Sequence, residues 1–183
     1  MKLHIVRLVS VFICLLVFKA NPIFGYSLNL KGEIAFGLKL SSTIDSYVKI
    51  LGDPDGIIEM GKNRMGYIYG QKMVLIFWNN KLWQIEMWGE PPIEAFTYIQ
   101  NINKNKPTNI QLDFGIKTGM TRKEFRNIVP SHFIADGDEF SDLLSFNKTT
   151  VFLNYVGKYP EQMLDYISIT YEMNNPNREL TSP

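Results

Sequence analysis

The chain has 183 residues, of which 45% are hydrophobic and 13% aromatic, a composition typical of globular proteins and unlike that of disordered chains. Its formal net charge is only +1. Nucleic-acid binding, which calls for a basic stripe, is therefore not indicated. The only cysteine is Cys14, which excludes a disulfide or a thiolate site from the rest of the chain.

Residues 1–27 have the three-part pattern of a secretory signal peptide. Lys2 and Arg7 precede an apolar run over residues 8–18, and Gly25 and Ser27 form a small-x-small end. That run is about half the roughly 20 residues that a membrane-spanning helix needs. We expect cleavage after Ser27 or, as the second choice, after Gly25, and a secreted or periplasmic protein with no membrane attachment after cleavage. An uncleaved anchor is the alternative.

The central feature of the remaining chain is a motif that occurs twice. Residues 36–52 (FGLKLSSTIDSYVKILG) match residues 114–130 (FGIKTGMTRKEFRNIVP) at a spacing of 78 positions. A shared period of this kind indicates an internal repeat. We predict an α+β fold, as a tandem repeat of a short helix plus a three- to four-stranded antiparallel sheet. The units cover residues 28–90 and 110–173, with a connector helix and linker at 91–109 and a polar tail at 174–183.

Each copy of the motif has the signals of a helix start and stop. Thr43 is a good N-cap, and Gly52 is a suitable residue for the helix end. In the second copy, Thr121 and Glu124 have the spacing of a capping box, and Pro130 ends the helix.

Three strands are predicted after each helix, at residues 67–69, 73–78 and 81–88, and again at 143–146, 150–156 and 164–171. Asn79 and Asn80 tolerate the positive φ of a two-residue hairpin turn. Pairing across this turn places Phe77 opposite Leu82.

Strand periodicity then sorts the side chains of the hairpin onto two faces. The face predicted to lie against the helix holds Val74, Ile76, Trp83, Ile85 and Met87. The other face holds Met73, Leu75, Phe77, Leu82, Gln84, Glu86 and Trp88, and in the second unit Phe152, Asn154, Leu164, Tyr166 and Ser168. This second face is too apolar for a plain solvated surface, so it is either covered by another part of the chain or is a binding surface.

The motif Phe-Gly-Ile-x-x-Gly-Met-Thr-x-x-Glu, with its apolar helix stripe, resembles that of a family of small secreted and envelope proteins. The family includes the small lipoprotein of the outer-membrane β-barrel assembly machinery and the tandem β-lactamase inhibitor protein. The first unit, with Leu51-Gly52-Asp53-Pro54, also resembles small bacterial immunity proteins. The resemblance implies a protein-binding function through a sheet face, and no catalytic residue.

Few residues suggest chemistry. His132 is the only histidine outside the leader, so a zinc site lacks ligands, and no nucleophile elbow surrounds a serine. The acidic cluster from Asp136 to Asp142 is interpreted as a solvated loop, with a weak divalent-cation site as the alternative. Glu86 is the best single candidate for a hydrolase, without an identifiable partner carboxylate. We predict no catalytic residue, no metal and no cofactor.

The sequence therefore favours a non-enzymatic module of inhibitor or immunity type that binds another protein. A cell-envelope assembly or structural protein and, less favoured, a small hydrolase are the alternatives. Tryptophan and tyrosine are enriched in protein interfaces, and they guide the choice of contact residues. The predicted partner-binding residues are Tyr67, Tyr69, Leu75, Phe77, Leu82, Glu86, Trp88, Phe152 and Tyr166.

Overall fold

The computed structural model describes residues 27–90, 110–158 and 161–172. Within them the fold is α+β, as predicted, with short helices and mostly antiparallel strands. The predicted connector helix, the polar tail and nearly all of the signal peptide lie outside the described residues. Helix α1 spans Ile44–Leu51 and helix α2 spans Arg122–Ile128. The strands are β1 Ser27–Asn29, β2 Ile34–Ala35, β3 Leu38–Lys39, β4 Gly56–Gly61, β5 Arg64–Tyr69, β6 Met73–Trp78, β7 Lys81–Trp88, β8 Gln111–Leu112, β9 Ile134–Gly137, β10 Ser141–Phe146, β11 Thr149–Val156 and β12 Met163–Tyr171.

Eight of the strands form one continuous sheet in the order β4-β5-β6-β7-β12-β11-β10-β9. Every neighbouring pair in it is antiparallel. The sequence predicted a sheet of three or four strands in each unit, whereas β7 pairs with β12 and joins both sets. A second, smaller sheet has the order β3-β2-β1-β8, in which β1 and β8 run parallel.

The edges of the large sheet are β4 and β9, which the sequence analysis did not predict. Both pair irregularly with their single neighbour. The register between β4 and β5 shifts at residues 59–61, and that between β9 and β10 shifts at residues 143–144. Such bulges twist and bend an edge strand.

One predicted turn and one predicted helix cap follow the sequence signals, and a second predicted cap does not. Asn79 and Asn80 have φ values of 48° and 62°, as a two-residue hairpin turn requires. Thr121 and Glu124 form the capping box. Thr43 stands at the N-cap position of α1, but its hydroxyl contacts that of Ser46 at 3.1 Å and caps no backbone N–H. The prediction of a side-chain cap there is wrong.

One face of the large sheet is buried against both helices and the small sheet. Tyr47 of α1 lies 5.5 Å from Phe77, and Phe125 of α2 lies 6.2 Å from Tyr155, measured between ring centroids. Tyr47 and Phe125 are fully buried, so each contributes about 3–5 kcal/mol relative to alanine. The core of this layer also contains Leu28, Phe36, Leu51, Met73, Leu75, Leu82, Ile85, Met87, Leu112, Ile116, Val129, Leu144, Val151, Leu153, Leu164, Ile167 and Ile169.

The predicted sorting of the first hairpin onto two faces is wrong for all of β6 and for the first part of β7. Val74, Ile76 and Trp83, predicted to face the helix, belong instead to a separate apolar cluster with Ile68. Phe77 does pair with Leu82, but a bulge follows, so that Ile76 pairs with Gln84 and Trp83 is skipped. From Ile76 back to Met73, each β6 residue pairs with the β7 residue one position later than predicted. Leu75, Phe77 and Leu82 therefore share the helix-covered face with Ile85, because a one-residue slip exchanges the faces of a strand.

The same correction applies to the second hairpin. Tyr155 pairs with Leu164, and Asn154 pairs with Tyr166, so that a bulge separates the two pairs. Leu164 is buried in the core layer rather than on the predicted second face. Ile167 and Ile169 lie on the core side, as predicted.

A buried ion pair holds α2 to the loop between β9 and β10. Asp142 is fully buried, and it accepts hydrogen bonds from Nε and Nη2 of Arg122 at 3.1 and 3.0 Å. The guanidinium also donates to the carbonyl oxygens of Asp138, Glu139 and Ser141 at 2.6, 2.6 and 2.9 Å. The interpretation of the acidic cluster as a solvated loop is therefore wrong for Asp142.

Candidate functional site

The face of the large sheet opposite the helices, here called the outer face, carries a group of polar and aromatic side chains at its centre. The pairing of β7 with β12 places Trp88 opposite Tyr166 and Glu86 opposite Ser168. Since alternate residues of a strand point to the same side, Gln84, Glu86 and Trp88 share this face. We call Gln84, Glu86, Trp88, Tyr166 and Ser168 the seam cluster.

The aromatic part of the site consists of three rings in sequence across the sheet. The ring centroids of Trp88 and Tyr166 are 5.6 Å apart, and those of Tyr166 and Phe152 are 6.4 Å apart. Phe152 on β11 is 38% exposed, and Trp88 and Tyr166 are half-buried. Amphipathic rings that remain accessible at the surface are the kind of residue on which protein contacts centre.

The polar part of the site is a short hydrogen-bond chain. Nε2 of Gln84 donates to Oε1 of Glu86 at 2.9 Å and contacts Oγ of Ser168 at 3.0 Å. Burial raises the pKa of the Glu86 carboxyl above its ordinary value, and the opposing effect of a hydrogen bond from Tyr166 is smaller. Burial and the nearby charge of Glu86 raise the pKa of Tyr166 to about 12. At neutral pH Tyr166 is therefore a neutral phenol.

The nine contact residues predicted from the sequence lie on opposite faces of the large sheet. Four of them, Glu86, Trp88, Phe152 and Tyr166, are brought together on the outer face. The other five lie on the helix-covered side: Tyr67, Tyr69, Leu75, Phe77 and Leu82. Tyr69, Leu75, Phe77 and Leu82 are at most 1% exposed, so their side chains form core rather than surface. Tyr67 is partly buried, with its ring centroid 5.4 Å from that of Phe77.

Gln84 and Ser168 belong to the site but were not among the predicted contact residues. Both were assigned to the correct face by strand alternation. They belong to the site because Nε2 of Gln84 donates to both Oε1 of Glu86 and Oγ of Ser168, and the second of these bonds depends on the β7–β12 pairing. No local pattern in the sequence predicts the pairing of β7 with β12.

The other candidates from the sequence do not assemble into a chemical site. His132 lies in a 3₁₀ turn with its ring 4.2 Å from that of Phe133. Among the described residues, no group of three or more His, Cys, Asp or Glu side chains is arranged to hold a metal ion. The side chain of Asp138 accepts hydrogen bonds from the backbone N–H groups of Phe140 and Ser141 and so shapes its own loop.

No family model and no curated protein matches the chain. The solved structures that are similar to it at low identity include the following two. One is an extracellular protein containing an SCP domain from Bacillus anthracis str. Ames, with 8% identity and a TM-score of 0.45, over 73% of this chain and 44% of that one. The other is a cysteine-rich secretory protein from Staphylococcus aureus subsp. aureus Mu50, with 9% identity and a TM-score of 0.45, over 74% of this chain and 49% of that one.

These comparisons correct the resemblance proposed from the motifs. The similar structures are SCP-domain and cysteine-rich secretory proteins, rather than the β-lactamase inhibitor protein, the assembly lipoprotein or the immunity proteins. The shared Phe-Gly and capping-box motifs are local signals for a turn and a helix start, which unrelated chains also use. The chain spans less than half the length of either similar protein. In the part of the chain that the structure describes, no helix has the length and apolarity to span a membrane.

Proposed function

We propose that the chain is a secreted or periplasmic protein-binding module that is not an enzyme, and that its contact surface is the outer face around the seam cluster. The observation that carries the proposal is the accessible row of Trp88, Tyr166 and Phe152 beside the carboxylate of Glu86. Aromatic anchors next to a few oriented polar groups are typical of the centre of a protein interface. An inhibitor or immunity-type role, in which binding alone blocks the partner, is the form of the proposal that we favour.

We also infer that the two halves of the sheet arose by internal duplication. The Phe-Gly pairs at 36–37 and 114–115 have positive φ at all four residues. The bulges in the β6–β7 and β11–β12 hairpins fall at matching places, one residue before Phe77 and before Tyr155. The residues before both helices make isolated bridges to the starts of the last strands, Thr43 to Lys81 and Thr121 to Met163. On this account the proposed contact surface lies where the two copies meet, and each copy contributes half of it.

The proposed location rests on the sequence of residues 1–27, with its basic start, short apolar run and small-x-small end. Without these residues the chain has 16 basic and 18 acidic side chains. A slightly acidic module with no basic stripe is suited to a protein partner rather than to nucleic acid.

The test is capture of envelope proteins with the purified chain and three variants. Trp88→Ala and Phe152→Ala each remove one aromatic anchor. Phe140→Ala is the matched control, because Phe140 is 51% exposed but lies in the loop before β10, away from the seam cluster. Circular dichroism spectra that match wild type show that each variant is folded.

We expect wild type and Phe140→Ala to retain the same partner and Trp88→Ala to lose it. Loss of an interface anchor typically weakens binding by about 2 kcal/mol, which corresponds to about a 30-fold increase in Kd in a titration with the purified partner. Phe152→Ala is expected to have a smaller effect, since this ring lies at the rim. Equal Kd values for wild type, Trp88→Ala and Phe152→Ala would refute the proposed surface.

A further inference from the structure

We propose that Glu86 is the receptor for a basic side chain, an arginine or lysine, that the protein partner places against the aromatic rings of the outer face. The inference rests on the proposed function and specifies the chemistry of the partner at that same site. It assigns to Glu86 a role as a specificity-determining residue.

The first observation is the lack of a counter-charge at Glu86. Within the described residues, the ion pairs join Asp142 to Arg122 and Arg126, and neither involves Glu86. The side-chain groups that bond to the Glu86 carboxylate are the neutral amide of Gln84 and the hydroxyl of Tyr166. The described residues thus provide two guanidinium groups for the buried carboxylate of Asp142 and none for the half-buried carboxylate of Glu86.

The second observation is the electrostatic environment of the carboxylate. Burial raises the pKa of Glu86, and no charged residue of the described chain is among the causes of the shift. An anion removed from water without a counter-charge is destabilised, and an approaching cation relieves that penalty. The site is therefore more favourable for a cation than an equally exposed carboxylate on the open surface.

The third observation is the arrangement of rings beside the carboxylate. The rings of Trp88 and Tyr166 are half-buried, and their accessible parts can contact the aliphatic stem and the charged head of a long basic side chain. The protein already uses this contact elsewhere, since the Lys31 ammonium lies 4.8 and 4.6 Å from the ring centroids of Phe114 and Phe133. A divalent metal fits less well, because Glu86 is the only carboxylate of the seam cluster and such ions prefer several oxygen ligands.

A consequence of this arrangement is that binding depends on pH. The neighbours of Glu86 across the sheet are Val74 on β6 and Ser168 on β12, which do not titrate, and Tyr166, whose pKa is about 12. Glu86 is thus the group that changes charge as the pH falls. Because its pKa is raised, affinity for a basic ligand is lost at a higher pH than an ordinary glutamate would give.

The experiment uses the full chain and three N-acetylated tripeptide amides, Gly-Arg-Gly, Gly-Lys-Gly and Gly-citrulline-Gly. Citrulline has nearly the shape of arginine but no charge. Binding is followed by NMR from the indole N–H of Trp88. The variants are Glu86→Gln, whose amide oxygen can still accept from Gln84, and Glu59→Gln, an exposed control that changes the net charge equally.

We expect the arginine and lysine peptides to bind with Kd values in the millimolar range and the citrulline peptide to bind about 10-fold more weakly or not at all. Glu86→Gln should lose this discrimination and the pH dependence, whereas Glu59→Gln should keep both. Equal binding of arginine and citrulline, or an unchanged arginine affinity in Glu86→Gln, overturns the inference.

The two proposals fail in different ways. If the captured partner is lost by Trp88→Ala but bound equally by Glu86→Gln and wild type, the contact surface stands and the receptor role of Glu86 is wrong. If Trp88→Ala and Phe152→Ala both bind the partner as wild type does, the proposed function itself is wrong.

Discussion

Removal of the Asp142 carboxylate should destabilise the fold more than any change at an exposed position. In Asp142→Ala, the guanidinium of Arg122 loses the acceptors of its Nε and Nη2 bonds at 3.1 and 3.0 Å. The Arg122 side chain is only 7% exposed, so water cannot replace them. A buried cation is then left with carbonyl and amide oxygens alone.

The expected loss of unfolding free energy follows from this geometry. Breaking a buried ion pair by removing one partner costs about 3–5 kcal/mol. Three carbonyl oxygens still accept from the guanidinium, so we expect about 3 kcal/mol, near the lower end. Arg126 also contacts Asp142, but its side chain is 48% exposed. Its share is therefore limited to about 0–1 kcal/mol.

The assay is urea unfolding followed by tryptophan fluorescence, with Arg126→Ala as the matched control and Arg122→Met/Asp142→Leu as the compensating double variant. Asp142→Ala should lower the midpoint with an unchanged slope. The double variant should recover most of the loss, because it leaves no buried charge unpaired. A loss below about 1 kcal/mol in Asp142→Ala, or an equal loss in Arg126→Ala, would show that the buried Arg122–Asp142 pair does not stabilise the fold as expected.

Three further predictions concern stability. Glu86→Gln should raise the unfolding free energy at neutral pH and have no effect in acid. The pKa of Glu86 is raised in the folded protein, so the wild type loses stability as the pH rises through that pKa, and the variant does not. An increase of the same size at both pH values would contradict this prediction. Thr149→Val should be neutral or stabilising by up to about 1 kcal/mol in thermal unfolding, because the buried Thr149 hydroxyl has no hydrogen-bond partner within the described residues. A loss of stability above that size would show that the hydroxyl does have a partner. Tyr47→Ala should cost about 3–5 kcal/mol in urea unfolding, because Tyr47 is fully buried, whereas Ile50→Ala should cost under about 1 kcal/mol, because Ile50 is 46% exposed. Similar losses in the two variants would mean that the burial pattern of α1 is wrong.

Local features of the fold could be predicted from the sequence because they depend on residues close together in the chain. The capping box of Thr121 and Glu124 and the positive φ of Asn79 and Asn80 need only neighbouring residues. The bounds of β6 and β7 match the predicted strands for the same reason.

The main feature that sequence periodicity could not supply was the bulge between Ile76 and Phe77, opposite the skipped Trp83. An ideal two-residue turn fixes the first pair, but periodicity assumes that no residue is skipped afterwards. Skipping Trp83 moved Leu75, Phe77 and Leu82 from the predicted contact surface to the core. Glu86 and Trp88 were placed correctly because they alternate with Ile85 and Met87, which lie beyond the skipped residue and belong to the core.

The seam cluster and the Arg122–Asp142 pair depend on contacts between distant parts of the chain. Arg122 stands inside the capping-box sequence, where a basic residue is ordinarily solvated, and only the fold brings the β9–β10 loop over it. Likewise, the approach of Ser168 to Gln84 results from the pairing of β7 with β12. Hydrophobic periodicity predicts neither the contact of Arg122 with the β9–β10 loop nor that of Gln84 with Ser168.

The irregular edges of the large sheet limit how this protein can associate with others. Strand β4 breaks its ladder near Gly61, and β9 is short and carries Asp136 next to its own register shift. A straight ladder of unpaired N–H and C=O groups is what a foreign strand needs in order to add to a sheet, and a kinked or charged edge denies it. Growth of fibres by edge-to-edge addition is therefore disfavoured at both ends, and an extended peptide finds no ready template there.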